Sequence, residues 1–514
     1  MQIGIDVGGT NTDAVVMDGR VVLGETKTPT TPDVTRGIVT ALTDLMGGSD
    51  PEGPIRGVMI GTTHFTNAVV EARRLIPTAA VRLALPATQA LPPMTDWPER
   101  LREALGHHVY MCAGGHEFDG RVIAPLDMDE LEEVAADMES KGVRSVAISS
   151  VFSPVNGEFE EQAAEFLSAR IPGLAVSLSN EIGRIGLLER ENATVMNACL
   201  RELAAQIVHA FETSVSELGI EAPLFISQND GTLMSADYTE QYPVATFASG
   251  ATNSMRGAAF LSGVSDCVVV DIGGTTTDVG MLTRGFPREA SVAVDIGGVR
   301  TNFRMPDVLS IGLGGGSILH ADDELAIGPD SVGYLLTERA LVFGGDTVTA
   351  TDVAVAAGLA EIGDGALVAD LDQGLVSEAV SLMQHRVSEA VDQMKTDAAP
   401  LPVVLVGGGS ILVGDKVEGA SQVIRPDHFP VANAIGAAIA QVGGETDQVF
   451  SLDGMTRERA IEEARSAATA RSVEAGADPD TVKIVDVEEV PLAYLPSNAV
   501  RIRVKAVGNL RLRG

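Results

Sequence analysis

Two octapeptides in this chain combine carboxylates, glycines and hydroxyls in the same order: Asp6-Val-Gly-Gly-Thr-Asn-Thr-Asp13 and Asp271-Ile-Gly-Gly-Thr-Thr-Thr-Asp278. Six of the eight positions are identical, and equivalent residues stand 265 apart. Gly8, Gly9, Gly273 and Gly274 permit a tight turn and close backbone approach to a ligand. Successive N–H groups in such a turn form an anion-binding nest, and Thr10, Thr12, Thr275, Thr276 and Thr277 add hydroxyl donors. The chemistry is phosphate binding. Asp6, Asp13, Asp271 and Asp278 cannot face phosphate directly, because like charges repel. They make sense with a divalent cation or a water in between. Asp6 and Asp271 are the expected metal ligands, and Asp13 and Asp278 the expected orienters of water or of the metal shell. The plainer alternative is a pair of Gly-rich hairpins with no ligand.

Other polar tips follow apolar runs. Val58 to Ile60 leads into Gly61-Thr62-Thr63-His64, with Asn67 opening a helix. Val403 to Val406 leads into Gly407-Gly408-Gly409-Ser410, where bare backbone could receive a ligand or simply pack closely. Gly312-Leu-Gly-Gly-Gly-Ser317 matches a dinucleotide loop only weakly, lacking the last glycine and a distal carboxylate. His107, His108, His116 and Cys112 have no standard zinc spacing. There is no Gly-x-x-x-x-Gly-Lys and no Gly-x-Ser-x-Gly, which excludes a P-loop NTPase and a nucleophile elbow.

The elements that must position these residues are readable from periodicity. Residues 2–26 read as a three-strand meander with an Asp18-Gly19 turn. Thr31-Pro32-Asp33 starts a helix toward Met46. Residues 86–126 read as an irregular Pro-rich and hairpin-like segment. Helices over 128–141 and 157–170 alternate with strands over 144–149 and 174–179, the pattern of a sheet covered by helices. A long helix runs from Leu187 to about Leu218. Helices near 247–263, 431–440 and 455–475 and strands near 482–488 and 499–506 complete the chain. Duplication of the phosphate motif predicts two similar lobes, 1–180 and 181–450, followed by a small α/β tail, 451–514.

Hydrophobic residues make up 45% and charged residues 21% of the 514, ordinary for a globular protein. The formal charge of −35 repels nucleic acid and anionic lipid, and aromatics at 4% provide no stacking platform. The three cysteines are scattered, as expected for buried thiols in a reducing compartment. No apolar run reaches membrane-spanning length, and no secretory leader is evident. The expectation is a cytoplasmic protein with neither nucleic-acid nor membrane partners.

The duplicated octapeptides resemble the paired phosphate motifs of the actin, hexokinase and Hsp70 ATPase superfamily. Gly61-Thr-Thr-His-Phe-Thr-Asn-Ala68, Glu189-Arg-Glu-Asn-Ala-Thr-Val-Met-Asn-Ala198, Gly312 to Ser317 and Gly328-Pro-Asp-Ser-Val-Gly333 are similar to blocks of one branch, the hydantoinase/oxoprolinase family. The resemblance implies a two-lobed actin-like ATPase fold with duplicated ribonuclease-H-like domains. It implies ATP and Mg²⁺ in the cleft, with Gly407 to Ser410 at the adenosine. A cyclic amide, phosphorylated on its oxygen before ring opening, is the implied substrate. A second hydantoinase-type subunit supplies hydrolytic residues, and an oligomer results. Other activities on the same fold are a ketone carboxylase component, a small-molecule kinase, and a non-metabolic reactivase or chaperone-like module. Thr62, Thr63, His64 and Asn67 are expected on the acceptor side of the cleft. His64 would bring a pH dependence if its imidazole titrates between about pH 5 and 8.

Overall fold

A computed structural model of the chain describes residues 1–30, 34–48, 53–290, 294–302, 305–321, 325–492 and 498–511. The expected helix start at Thr31-Pro32-Asp33 lies outside these residues. The helix it was to open runs Val34–Gly48.

The meander is present as β1 (Gln2–Val7), β2 (Asn11–Asp18) and β3 (Val21–Pro29), joined antiparallel. β1 is buried on both faces from Ile3 onward, because helices cover the sheet on both sides. β4 (Val58–Thr62) pairs parallel with β1. From β4 the sheet continues through Leu224–Ser227, Leu233–Ser235, Val442–Phe450, Val500–Gly508 and Lys483–Pro491, to nine strands with β3 at the far edge.

The second sheet repeats the central device. Cys267–Ile272 and Thr277–Thr283 form an antiparallel hairpin, and Leu401–Val406 pairs parallel with the first of these strands. The register repeats as well: Asp6 stands opposite Asp13, and Asp271 opposite Asp278. The fold is therefore α/β and two-lobed, with a duplicated core unit.

Sheet membership crosses the division expected at residue 180, since strands 224–227 and 233–235 belong to the first sheet. The tail joins that sheet too. Val500–Gly508 pairs along its length with Val442–Phe450, and the helix Arg457–Glu474 lays Ala460, Ala464 and Ala468 against it. A third sheet of four parallel strands, Thr78–Leu85, His108–Ala113, Ser145–Ser150 and Ala175–Leu178, carries the expected helix–strand alternation. It also contains a helix, Glu99–Leu105, and a strand, His108–Ala113, within the segment read as irregular. That strand lies at the sheet edge with mostly half-buried side chains, so its apolar pattern is faint.

Two features join the lobes. The helices Ser249–Ser262 and Ala432–Ala438 cross at backbone contact. A Cβ on Gly257 would lie 1.9 Å from the Ala432 carbonyl oxygen, and one on Gly436 the same distance from that of Asn253. The hairpin Val294–Ile296/Val299–Thr301, which follows the second phosphate motif, buries Ile296 and Val299 in the core of the first lobe. Trp97 donates to Asn192, and the Asn192 amide donates to the Arg300 carbonyl, which pins this hairpin to the long helix Leu187–Glu217.

Because the crossing leaves no room for a methyl group, Gly436→Ala is expected to destabilise the protein by about 1–3 kcal/mol. Gly365→Ala, whose Cβ would meet its nearest neighbour at 3.8 Å, serves as the control and should stay near wild type. Urea denaturation of both variants checks this; equal midpoints would refute the close crossing.

Candidate active site

The two hairpin turns are built alike. The Gly8 N–H donates to the Asn11 carbonyl at 3.0 Å, and the Gly273 N–H to that of Thr276 at 2.9 Å. They meet tip to tip, with the Thr10 and Thr275 hydroxyls 3.4 Å apart. A Cβ on Gly274 would lie 2.8 Å from the Thr10 methyl, so this contact itself requires glycine.

The second turn is braced from two sides by the glycine triplets. The N–H groups of Gly315 and Gly316 donate to the carbonyls of Gly273 and Gly274 at 3.0 and 2.7 Å. On the other side, a Cβ on Gly409 would come within 2.7 Å of the Gly273 oxygen, and one on Gly407 within 2.2 Å of Asp271 Oδ1. With its carbonyls taken, the turn keeps Thr275 and Thr276 part-exposed or exposed at its tip. The Gly312 to Ser317 segment is thus a brace for the phosphate motif rather than a dinucleotide loop. Gly407 and Gly409 are spacers, whereas Gly408 faces the side chain of Lys27. Thr277 is buried and donates to the Leu313 carbonyl at 2.6 Å; Thr12 is buried against Thr30. The Ser410 hydroxyl is buried with no partner among the described residues.

Beneath the turns the carboxylates are held by amides and hydroxyls. Asn433 Nδ2 donates to Asp6 Oδ2 at 3.0 Å and to Asp13 Oδ2 at 2.8 Å. Asn253 Nδ2 contacts Asp6 Oδ1 at 3.5 Å and Ser227 Oγ at 3.1 Å. Ser254 donates to Asp271 at 2.5 Å, and Ser310 donates to Asp278. One basic side chain stands among them: Lys27 Nζ, 2.7 Å from Asp13 Oδ1. Burial, reinforced by the charges of Asp13 and Asp271, pushes Asp6 up to about 7. Burial also raises Asp271 to about 6, with Asp278 and Asp13 adding and Ser254 and Lys27 opposing. Asp278 is raised chiefly by burial.

These carboxylates fit a cation held jointly with phosphate. Among the described residues no group of three or more His, Cys, Asp or Glu side chains forms a metal site of its own. A cation at Asp6 and Asp271 would complete its shell from phosphate and water, as Mg²⁺ does.

The β4 tip divides. A Cβ on Gly61 would lie 2.3 Å from Asp6 Oδ1, so the strand passes directly behind that carboxylate. Thr63 is at the cluster: a Cβ on Gly250 would be 3.9 Å from both the Thr63 methyl and Asp6. Thr62 is buried and bonded to His64 Nδ1. The helix begins at His64 rather than Asn67, and Asn67 is exposed on it. Burial, with Arg74 adding, lowers His64 to about 4. An imidazole so lowered is neutral through pH 5–8, which argues against the pH dependence expected of His64.

Five contributors were not singled out from sequence: Lys27, Asn253, Ser254, Ser310 and Asn433. Asn433 lies in the first turn of one crossing helix, and Asn253 and Ser254 in the second turn of the other. Their one sequence signal is an amide or hydroxyl in an otherwise small-residue helix start. A separate cavity of about 440 Å³ lies between the lobes, lined by Phe286, Met305, Arg288 and Lys505 among others. Lys505 and Arg288 are paired with Asp230 and Asp307, each at 2.7 Å.

Two family models match the chain: the hydantoinase/oxoprolinase N-terminal region over residues 2–171, and hydantoinase/oxoprolinase over residues 190–362. The chain belongs to the hydantoinase/oxoprolinase family. It is 26% identical over 470 residues to caprolactamase subunit alpha of Pseudomonas jessenii, covering 85% of this chain and 65% of that protein. It is 25% identical to the acetophenone carboxylase gamma subunit of Aromatoleum aromaticum, covering 69% of this chain and 53% of the relative. The chain thus spans somewhat less than two thirds of these relatives. The fold is shared with the crystal structure of the ATP-dependent caprolactamase from Pseudomonas jessenii at TM-score 0.78 and 19% identity, covering 99% of this chain and 88% of that one. It is shared with nucleotide-free acetone carboxylase at 0.71 and 17%, with the same coverage. It is the actin-like ATPase fold.

The raised Asp6 gives a stability prediction. An acid whose pKa rises on folding binds its proton more tightly in the native state. Stability is then greatest below the unfolded value of 3.8 and falls as pH rises through about 7. Without nucleotide or divalent cation, Asp6→Asn should be more stable than wild type at pH 8, by about 1 kcal/mol or more. The advantage should shrink toward pH 4. Melting curves at both pH values test this; an advantage that does not change with pH would refute the buried-charge account.

Proposed function

We propose that the chain is the ATP-dependent component of an enzyme that opens a cyclic amide, such as a hydantoin, 5-oxoproline or another lactam. The observation that carries the reading is the pair of like-built turns, meeting tip to tip above Asp6 and Asp271. Phosphoryl transfer needs mainly positioning and charge neutralisation. The turn N–H groups with Thr10, Thr275 and Thr276 hold phosphate oxygens. Asp6 and Asp271 would hold Mg²⁺, which would supply the positive charge that the cluster lacks. Asn433 and Asn253 keep Asp6 in place.

The acceptor lies beside Thr63, at the carboxyl end of β4, where ligands of α/β folds gather. Its amide oxygen attacks the terminal phosphorus, ADP leaves, and the oxygen becomes a leaving group for later attack by water. His64 is neutral and bonded to Thr62, which makes it a local support rather than a general base. Hydrolytic groups are therefore assigned to a second subunit, in keeping with the subunit names of the relatives. Likeness to carboxylase subunits favours one other reading, in which the acceptor is a ketone enolate and the second substrate bicarbonate.

Mg-ATP should raise the melting temperature of the chain by mass action, and Asp271→Ala should remove most of the shift. No shift at millimolar Mg-ATP would refute the nucleotide site. ATP consumption stimulated by lactams, measured beside stimulation by ketones with bicarbonate, separates the two acceptors. Stimulation by ketones alone would overturn the cyclic-amide reading.

A further inference from the structure

Resting on the nucleotide reading, we propose that Lys27 binds the terminal phosphate of the nucleotide. It would exchange part of its bond to Asp13 for a phosphate oxygen when the ligand enters.

The argument begins with charge. The chain carries a formal −35, and only six of its residues are lysines. One of them stands among the four motif aspartates. Lys27 lies directly opposite Asp13 in the β2–β3 ladder, and Nζ bonds Asp13 Oδ1 at 2.7 Å. Nζ also donates to the Pro430 carbonyl at 3.2 Å, in the segment that opens the second crossing helix. An ammonium has three donors. Two are engaged, and the third has no protein partner among the described residues. The side chain is 33% exposed, so this third donor is reachable from solvent.

Its neighbours show what it can reach. A Cβ built on Gly408 would lie 3.6 Å from Lys27 Cε, which puts the stem beside the triplet that follows the second lobe's central strand. The same ammonium opposes the raised pKa of Asp271, so its field spans both halves of the cluster. The nearest part of its own strand is anchored as well. Glu25, two residues earlier on the same face of β3, contacts His428 Nδ1 at 2.5 Å. β3 is thereby tied to the second lobe, and the ammonium holds a defined place between Asp13 and Gly408.

A purely structural role would be to neutralise Asp13. Asp13 already accepts from Asn433 through its other oxygen, however, while Asp6 and Asp271 have no basic partner in hydrogen-bond contact among the described residues. A polyphosphate entering here adds several negative charges to that cluster. The four-carbon stem lets the ammonium shift by a few ångströms without moving β3. A lysine with one unused donor, next to both Asp13 and the glycine triplet, meets that need.

The test is calorimetric titration of wild type, Lys27→Met, Lys27→Arg and Asp13→Asn/Lys27→Met with Mg-ATP, Mg-ADP and AMP. Lys27→Met should weaken ATP tenfold or more and ADP by less than threefold, with AMP unchanged. Lys27→Arg should recover part of the loss. The double variant removes both charges and should regain wild-type melting without regaining ATP affinity. Recovery of ATP affinity in the double variant, or an unchanged ATP-to-ADP ratio in Lys27→Met, overturns this inference and leaves the nucleotide site standing. Failure of wild type to bind any of the three ligands overturns the proposed function instead.

Discussion

The rest of the structure depends on an unbalanced charge. Four aspartates are drawn together by two facing hairpins, and protein groups satisfy them with amides and hydroxyls far more than with cations. Buried carboxylates without partners are costly, so Asp6 and Asp271 are driven toward their protonated forms. That is a poor arrangement for an inert core and a useful one for a cleft that admits a cation together with a polyphosphate. The ligand would supply the balancing charge only when the whole set is in place, which couples binding of metal to binding of nucleotide.

Close backbone approach is the second requirement, and it explains glycines that look redundant in the sequence. Gly61 passes behind Asp6, Gly407 behind Asp271, and Gly314 and Gly409 press on opposite sides of the second turn. Gly257 and Gly436 let the crossing helices touch. Each removes a methyl group that would push a turn or a helix end away from the cluster. Asn253 and Asn433 ride on those crossing helices, so the contact that fixes the lobes also fixes the donors to Asp6.

Much of this was legible in one dimension. The repeated octapeptide located both turns, and alternation of strands and helices located the small parallel sheet. Lys27 was not legible, for a specific reason. A β-bulge in the β2–β3 pair sets Met17 opposite Val22 but Val16 opposite Gly24. An unbroken hairpin from the Asp18-Gly19 turn would have placed Thr26 opposite Asp13. A one-residue slip sends every following side chain to the other face. The asparagines were invisible for another reason: Asn433 meets Asp6 across 427 residues, and no local pattern announces such a contact. The pairing partners of strands 224–227 and 500–508 escaped likewise, because they are set by tertiary geometry.

The arrangement also says where the chemistry of this chain stops. Every polar group gathered around Asp6 and Asp271 is suited to holding charge or donating a hydrogen bond. The nearby imidazole, His64, is kept neutral by burial and engaged by Thr62. Asp6 and Asp271 could accept protons at neutral pH while the cleft is empty. Once they bind a cation they lose that capacity, because the positive charge returns them to the ionised, weakly basic form. A site that activates an oxygen by phosphorylation and then also deprotonates water would need a second base outside the cation's field. On the proposed reaction, the two steps would fall to different subunits, since the charge that would make phosphoryl transfer possible would also disable the carboxylates as bases.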